Sequence, residues 1–263
     1  MFAKLLKNEW RSSRSGIGTM CAIILISGVM IGFGGLIVAR GQKIFLGREL
    51  FGVLLGTLMM LCVFAVALCC GGSVVYALYR FYRSRFTEEG YLTYTLPVSN
   101  HSLLLSGILM SLLEILLVLL AAAVAVGLAF GIFALGLPLK EIGADTLAAF
   151  DRAFADFGNA LVNHMSDIAS FLLFMVLLCV SQLITQMLSI TIGAIVARKH
   201  PILMAVAVYY GIGLVNNAVS VLGMLNRDGL PGILTTNGIS CLVTILAGYF
   251  LMHWLTSKKL NLA

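Results

Sequence analysis

Residues 103–137 read LLLSGILMSLLEILLVLLAAAVAVGLAFGIFALGL, and this stretch decides the fold. It holds one ionisable residue, Glu114, and no proline. A hydrocarbon layer about 30 Å thick is crossed by about 20 apolar residues at 1.5 Å each, so the block is long enough to span. In lipid every backbone N–H and C=O needs an internal partner, so such a block must be helical. The alternating ten-residue strands of a membrane barrel are absent.

Blocks of the same kind recur on both sides. The reading places spans at Ile17–Ala39, Leu50–Tyr79, Leu103–Leu137, Ile168–Ala197, Ile202–Leu225 and Ile233–Leu255. The chain is 60% hydrophobic and 11% charged, against roughly 25% charged for a soluble domain. The expected fold is therefore an all-α polytopic membrane protein, one transmembrane domain over residues 1–263 with six transmembrane helices. Gly16 to Ala39 is too long for the apolar region of a signal peptide and reads as an uncleaved first span.

Loop charge gives the orientation. Lys4, Lys7, Arg11, Arg14, Arg80, Arg83, Arg85, Arg198, Lys199, Lys258 and Lys259 flank one side, eleven in all, against six on the other. The richer side is expected to be cytoplasmic, with both termini there. The net charge of +6 thus reads as topology and not as a nucleic-acid surface. Cys21, Cys62, Cys69, Cys70, Cys179 and Cys241 all lie inside apolar blocks, so no disulfide framework is implied.

Ahead of the first span, Lys4, Lys7, Arg11 and Arg14 share one helical face, and Phe2, Leu5, Leu6 and Trp10 the other. Residues 1–15 are expected to form a separate interfacial helix anchored on anionic headgroups through Lys4, Lys7, Trp10, Arg11 and Arg14. Glu9 falls on the apolar side, either snorkelling to water or paired with a base of the first cytoplasmic loop. Gly28 and Gly32 form a small-xxx-small pair suited to close helix approach. Residues 138–167 carry Leu147, Phe150, Phe154, Phe157 and Leu161 at spacings of three and four, which predicts an external amphipathic helix, a structural lid or a recognition element.

Hydrolytic and nucleotide chemistry finds no support. There is no Gly-Lys pair for a phosphate loop, no H-E-x-x-H and no G-x-S-x-G. His101, His164, His200 and His253 all sit near predicted membrane ends, and no Cys-His cluster has metal spacing. The polar residues within the spans carry more. Glu114 costs at least a few kcal/mol in lipid unless protonated, paired or hydrated. It either holds two helices together or lines a hydrated cavity. Gln182, Thr185, Gln186 and Ser189 follow i, i+3, i+4 and i+7, one stripe that fits helix–helix hydrogen bonding and a water-filled path equally well. Asn216-Asn217 is expected to mark a helix break. A transporter or channel working alone, with Glu114 as its ion site, is one reading of these residues.

The loop at residues 80–101, RFYRSRFTEEGYLTYTLPVSNH, is the most distinctive segment. A basic anchor opens it, a short helix start at Thr87-Glu88-Glu89 follows, and Gly90-Tyr91-Leu92 breaks it. Leu96-Pro97-Val98 is a rigid elbow, and Ser99 is placed to cap the next span. Its aromatic content points to docking on another protein. From Glu88 to Ser99 the loop resembles the first cytoplasmic loop of ABC-2 type permeases, the membrane subunits of ATP-binding-cassette transporters of Gram-positive bacteria. The opening Phe2-Ala3-Lys4-Leu5-Leu6-Lys7-Asn8-Glu9-Trp10-Arg11 is similar to the amphipathic start of the same permeases.

The resemblance implies a type V exporter-like permease with no enzymatic activity or cofactor of its own. It implies a coupling surface at Thr87, Glu88, Glu89, Gly90, Tyr91, Leu92 and Pro97. That surface would dock on a separate ATPase that binds ATP and magnesium and is present in two copies. It further implies a second copy of the chain and a pathway between the copies, with Glu114, Gln182, Thr185, Gln186, Ser189, Asn216 and Asn217 as candidate lining. Re-entrant helices between the last two spans occur in the family, but Gly229-Leu230-Pro231-Gly232 leaves little chain for them here. Within the family, size and organisation are similar to the branch exporting phenol-soluble modulins, amphipathic cytolytic peptides. An exporter giving self-immunity to antimicrobial peptides or drugs is the neighbouring reading.

Overall fold

The computed structural model describes residues 2–39, 48–87, 90, 99–136, 152, 155–156, 158–159, 162–163, 165–197 and 199–258 except 226–229. Six long helices carry the chain: α1 (Phe2–Ala39), α2 (Arg48–Phe86), α3 (Asn100–Gly136), α4 (Met165–Val196), α5 (Pro201–Leu225) and α6 (Leu230–Lys258). No strand occurs among the described residues. All six are long and apolar enough to cross a membrane. Leu135 is 77% exposed and Met60 76%, surfaces that suit lipid and not water. The chain is a multi-pass α-helical membrane protein.

Helix ends follow local chemistry. Ser99 caps α3, its Oγ accepting from the Ser102 amide at 3.4 Å and pairing with the Ser102 hydroxyl at 2.9 Å. His200 precedes α5 and Pro201 opens it, where a missing N–H costs nothing. Asp167 lies in the first turn of α4, and Arg83 and Arg85 in the last turn of α2, each complementing the helix dipole.

Two sequence expectations are corrected. Residues 2–15 are not a separate helix, because α1 runs unbroken from Phe2 to Ala39. No proline interrupts this stretch, and Ser13 is drawn into the packing. Asn216-Asn217 does not break α5, which is helical from Pro201 to Leu225. The single expected domain resolves into two compact units, Lys7–Ala77 with Leu113–Gly158, and Met1–Leu6 with Leu78–Leu112 and Asn159–Ala263. Helices α1, α2 and α3 are long enough for their two ends to join different packing neighbourhoods.

In the first unit the core is Ile17, Ile24, Val118 and Ala125, with Cys21, Cys69, Cys70 and Leu117 packed around it. The Gly28/Gly32 pair is a true seam. A Cβ on Gly28 would lie 2.7 Å from the Ala125 carbonyl oxygen, and one on Gly32 would lie 3.1 Å from the Ala129 Cα. Rising numbers on α1 meet rising numbers on α3, so the two run parallel. Helix α2 runs antiparallel to α1, since Gly16 meets Tyr76 and Gly34 meets Met59. In the second unit α4 packs on both α5 and α6. The described positions between 152 and 163 are helical and exposed. Leu147, Phe150, Phe154, Phe157 and Leu161 of the predicted external helix lie outside the described residues.

Candidate functional site

Three polar constructions stand out, and each begins with a residue that lipid would penalise. The first is Glu114 on α3, 1% exposed. The Ser13 hydroxyl donates to its Oε1 at 2.5 Å, and Ser13 is itself fully buried. Ser13 lies between the exposed Arg11 and Arg14, so the carboxyl meets the charged stretch of α1 and not its apolar stretch. Of the two sequence readings, this geometry is that of a helix-holding group. Glu114→Gln keeps the Oε1 acceptor and is expected to cost under about 1 kcal/mol. Ser13→Ala, which strips a partner from a buried acid, is expected to cost about 2 kcal/mol in thermal unfolding. Equal stability of the Ser13→Ala protein and the parent would refute the staple.

The second construction lies at the C-terminal end of α2, from Phe81 to Gly90. Arg85 is 1% exposed, the largest fully buried side chain described. Its guanidinium donates to the Leu103 carbonyl of α3 and lies 5.7 Å from the centroid of the Phe81 ring, a cation–π arrangement. Gly107 makes room for it, since a Cβ there would come 3.1 Å from Nη2. Thr87 Oγ1 donates to the Arg83 carbonyl at 2.5 Å, and the Gly90 amide donates to the Thr87 carbonyl at 2.8 Å. Gly90 lies so close that a Cβ would fall 2.5 Å from the Arg85 carbonyl oxygen. Of the predicted coupling residues, Thr87 and Gly90 are therefore built onto the helix end. Glu88, Glu89, Tyr91, Leu92 and Pro97 lie outside the described residues. Arg85 was read from the sequence only as one more basic flank.

The third is the set of polar groups on α4, α5 and α6, and here the predicted stripe divides. Thr185 and Ser189 are buried and donate to the carbonyls of Ser181 and Thr185, one turn back, at 2.8 and 2.7 Å. Gln186 is half-buried. Only Gln182 of the stripe makes a helix–helix bond, its Oε1 accepting from the Tyr209 hydroxyl at 3.3 Å. Asn216 Oδ1 accepts from Thr244 Oγ1 at 3.4 Å, and Asn237 Oδ1 accepts from the Ser220 hydroxyl at 2.7 Å. Asn217 is exposed. Tyr209, Ser220, Asn237 and Thr244 were missed in the sequence, although Tyr209, Asn216 and Ser220 share one face at i, i+7 and i+11.

The basic positions Lys4, Lys7, Arg11 and Arg14 are exposed, as is Trp10 at 40%. His101 stacks on His253 with centroids 3.7 Å apart, and Tyr249 pairs with His101 Nδ1 at 3.2 Å. No group of three or more metal-ligating side chains forms among the described residues. All six cysteines are free. Neither family models nor curated proteins nor solved structures give a match to this chain.

Proposed function

We propose that the chain is the membrane-spanning permease subunit of an ATP-driven ABC-2 type exporter. In this reading it pairs with a second copy of itself and with a separate ATPase, and it moves amphipathic peptides out of a bacterial cell. The carrying observation is the anchorage of the 87–99 segment. A partner pushing on a loose loop moves only the loop. Here the loop leaves α2 through a buried arginine bonded to α3 and a glycine packed on the arginine's own carbonyl, and it enters α3 through the Ser99 cap. Force applied between those points passes into two long helices. The excess of flanking basic charge supports a cytoplasmic position for this segment and both termini, the side on which an ATPase would find ATP and magnesium. The engagement of Glu114 by Ser13 argues against the lone ion-driven transporter, because the carboxyl already serves the packing.

The test is reconstitution with and without the ATPase. Transport of an amphipathic peptide is expected only with ATPase and ATP. Reversing the charge at Glu88 and Glu89 is expected to reduce cargo-stimulated ATP hydrolysis severalfold while the helices stay folded. Unaided transport by the purified chain, abolished by Glu114→Gln, would establish the ion-driven reading instead.

A further inference from the structure

Helix α1 carries two guanidiniums at a depth that the bilayer fixes. From Ser15 to Ala39 it holds no charged side chain, about 37 Å of helix. That length matches a hydrocarbon layer of about 30 Å with part of each headgroup region. Arg14, the last charge before this run, therefore stands among the headgroups of the leaflet at which α1 begins. Arg11 lies about 4.5 Å further out. Both are exposed, and no hydrogen bond or ion pair joins either of them to another described residue. On the helical wheel they stand in line with Ser15, Gly18 and Ala22, all exposed, and opposite the buried Ser13, Ile17 and Ile24. Gly18 has open space where a Cβ would stand. Ile23 and Ile26, also exposed, flank this line deeper in the span. Glu9 falls on the other side of the wheel.

We infer that this face of α1 binds an anionic phospholipid, its phosphate held by Arg11 and Arg14 and one acyl chain laid along Ser15, Gly18 and Ala22. Charge and depth together select that occupant. Two guanidiniums without a carboxylate partner call for a net negative group, and their planar forks match phosphate oxygens. A zwitterionic lipid brings its own cation to the same place. The small side chains below the arginines leave a shallow trough on the lipid-facing side of the span, where methylenes can approach the helix backbone. A free phosphate has no use for that trough, and an acidic protein segment would have to enter hydrocarbon to reach it. The unbroken course of α1 limits the grip to two of the four bases. A helix lying flat would bring all four to the headgroups. As the continuation of a span, α1 lifts Lys7 about 10 Å and Lys4 about 15 Å beyond Arg14.

The test is native mass spectrometry of the full chain in mild detergent. It is equilibrated with equal amounts of phosphatidylglycerol and phosphatidylcholine of the same acyl chains. Retention of phosphatidylglycerol is expected to exceed that of phosphatidylcholine by about tenfold or more, since each base near a headgroup contributes about fivefold. Equal retention of the two overturns the headgroup assignment. Arg11→Gln with Arg14→Gln is expected to bring the preference close to unity. Lys4→Gln with Lys7→Gln removes the same charge and is expected to keep it. Equal loss in the two double variants would mean diffuse attraction to a basic helix end and would overturn the site. Gly18→Leu keeps both guanidiniums and enters space that no described atom fills, so the fold is retained while phosphatidylglycerol retention drops severalfold. Undiminished retention in that variant overturns the acyl-chain path. Glycerol 3-phosphate, the same phosphate without chains, is expected to displace nothing, and displacement would make this a site for a soluble phosphate instead.

Discussion

Replacing Arg85 by leucine is expected to destabilise the protein by about 3 kcal/mol, roughly a hundredfold in the folding equilibrium. The size follows from what the side chain does. It is buried to 1% exposure, donates to the Leu103 carbonyl, and lies against Phe81 in the space that Gly107 leaves. A leucine fills part of the volume and none of the polar requirement. Removing one partner of a buried charged interaction leaves the other groups desolvated and unmet. Lysine keeps the charge but not the planar fork, so Arg85→Lys is expected to recover only part of the loss. Thermal unfolding in detergent gives the first readout. Limited proteolysis within residues 87–99 gives the second, since the loop's exit from α2 is fixed through this residue. Unchanged melting and unchanged cleavage in the leucine variant would show that Arg85 anchors nothing.

The second large effect is expected at Gly193, in the last turn of α4. A Cβ there would come 2.5 Å from the Pro201 carbonyl oxygen and 2.8 Å from the Ala205 amide nitrogen. Both are backbone atoms of the first turns of α5, and neither can swing aside as a side-chain tip does. Only the short stretch 197–200 joins the two helices, so α5 cannot retreat without moving α4. Gly193→Ala is expected to cost about 2 kcal/mol and Gly193→Leu about 3 kcal/mol or more. Gly211 is the control. It lies on α5 with nothing within 4 Å of its Cβ position, so Gly211→Ala should be neutral or slightly stabilising through helix propensity. A Gly193→Ala protein that melts with the parent would mean that the α4–α5 turn tolerates more separation than this geometry allows.

The spans were legible because hydrocarbon imposes length and composition, and few sequences satisfy both by accident. The Gly28/Gly32 seam was legible in kind, though only the structure shows Ala125 and Ala129 as its counterface. The polar residues were read less well, for a specific reason. A threonine or serine inside a helix can return its hydrogen bond to the carbonyl one turn back, as Thr185, Ser189 and Thr191 do. Spacing alone does not separate that from a bond across helices. Gln182, Asn216 and Asn237 each accept instead from a hydroxyl on a neighbouring helix. Asn216 was therefore misread as a break when it is a link between α5 and α6. Ser13 was overlooked because four bases around it dominated the reading of the N-terminus. Its partner lies 101 residues away, beyond what local periodicity can reveal.

The unbroken course of α1 ties this protein to the thickness of its membrane. Its 38 residues extend about 57 Å, against a hydrocarbon layer of about 30 Å. A hinge near residue 15 would let the amphipathic start lie flat whatever the bilayer. A rigid rod has to lean instead. The stretch 2–15 is then an arm about 20 Å long, and a change of 10° in lean sweeps Phe2 through roughly 4 Å. Acyl-chain length thereby becomes a mechanical input to the protein.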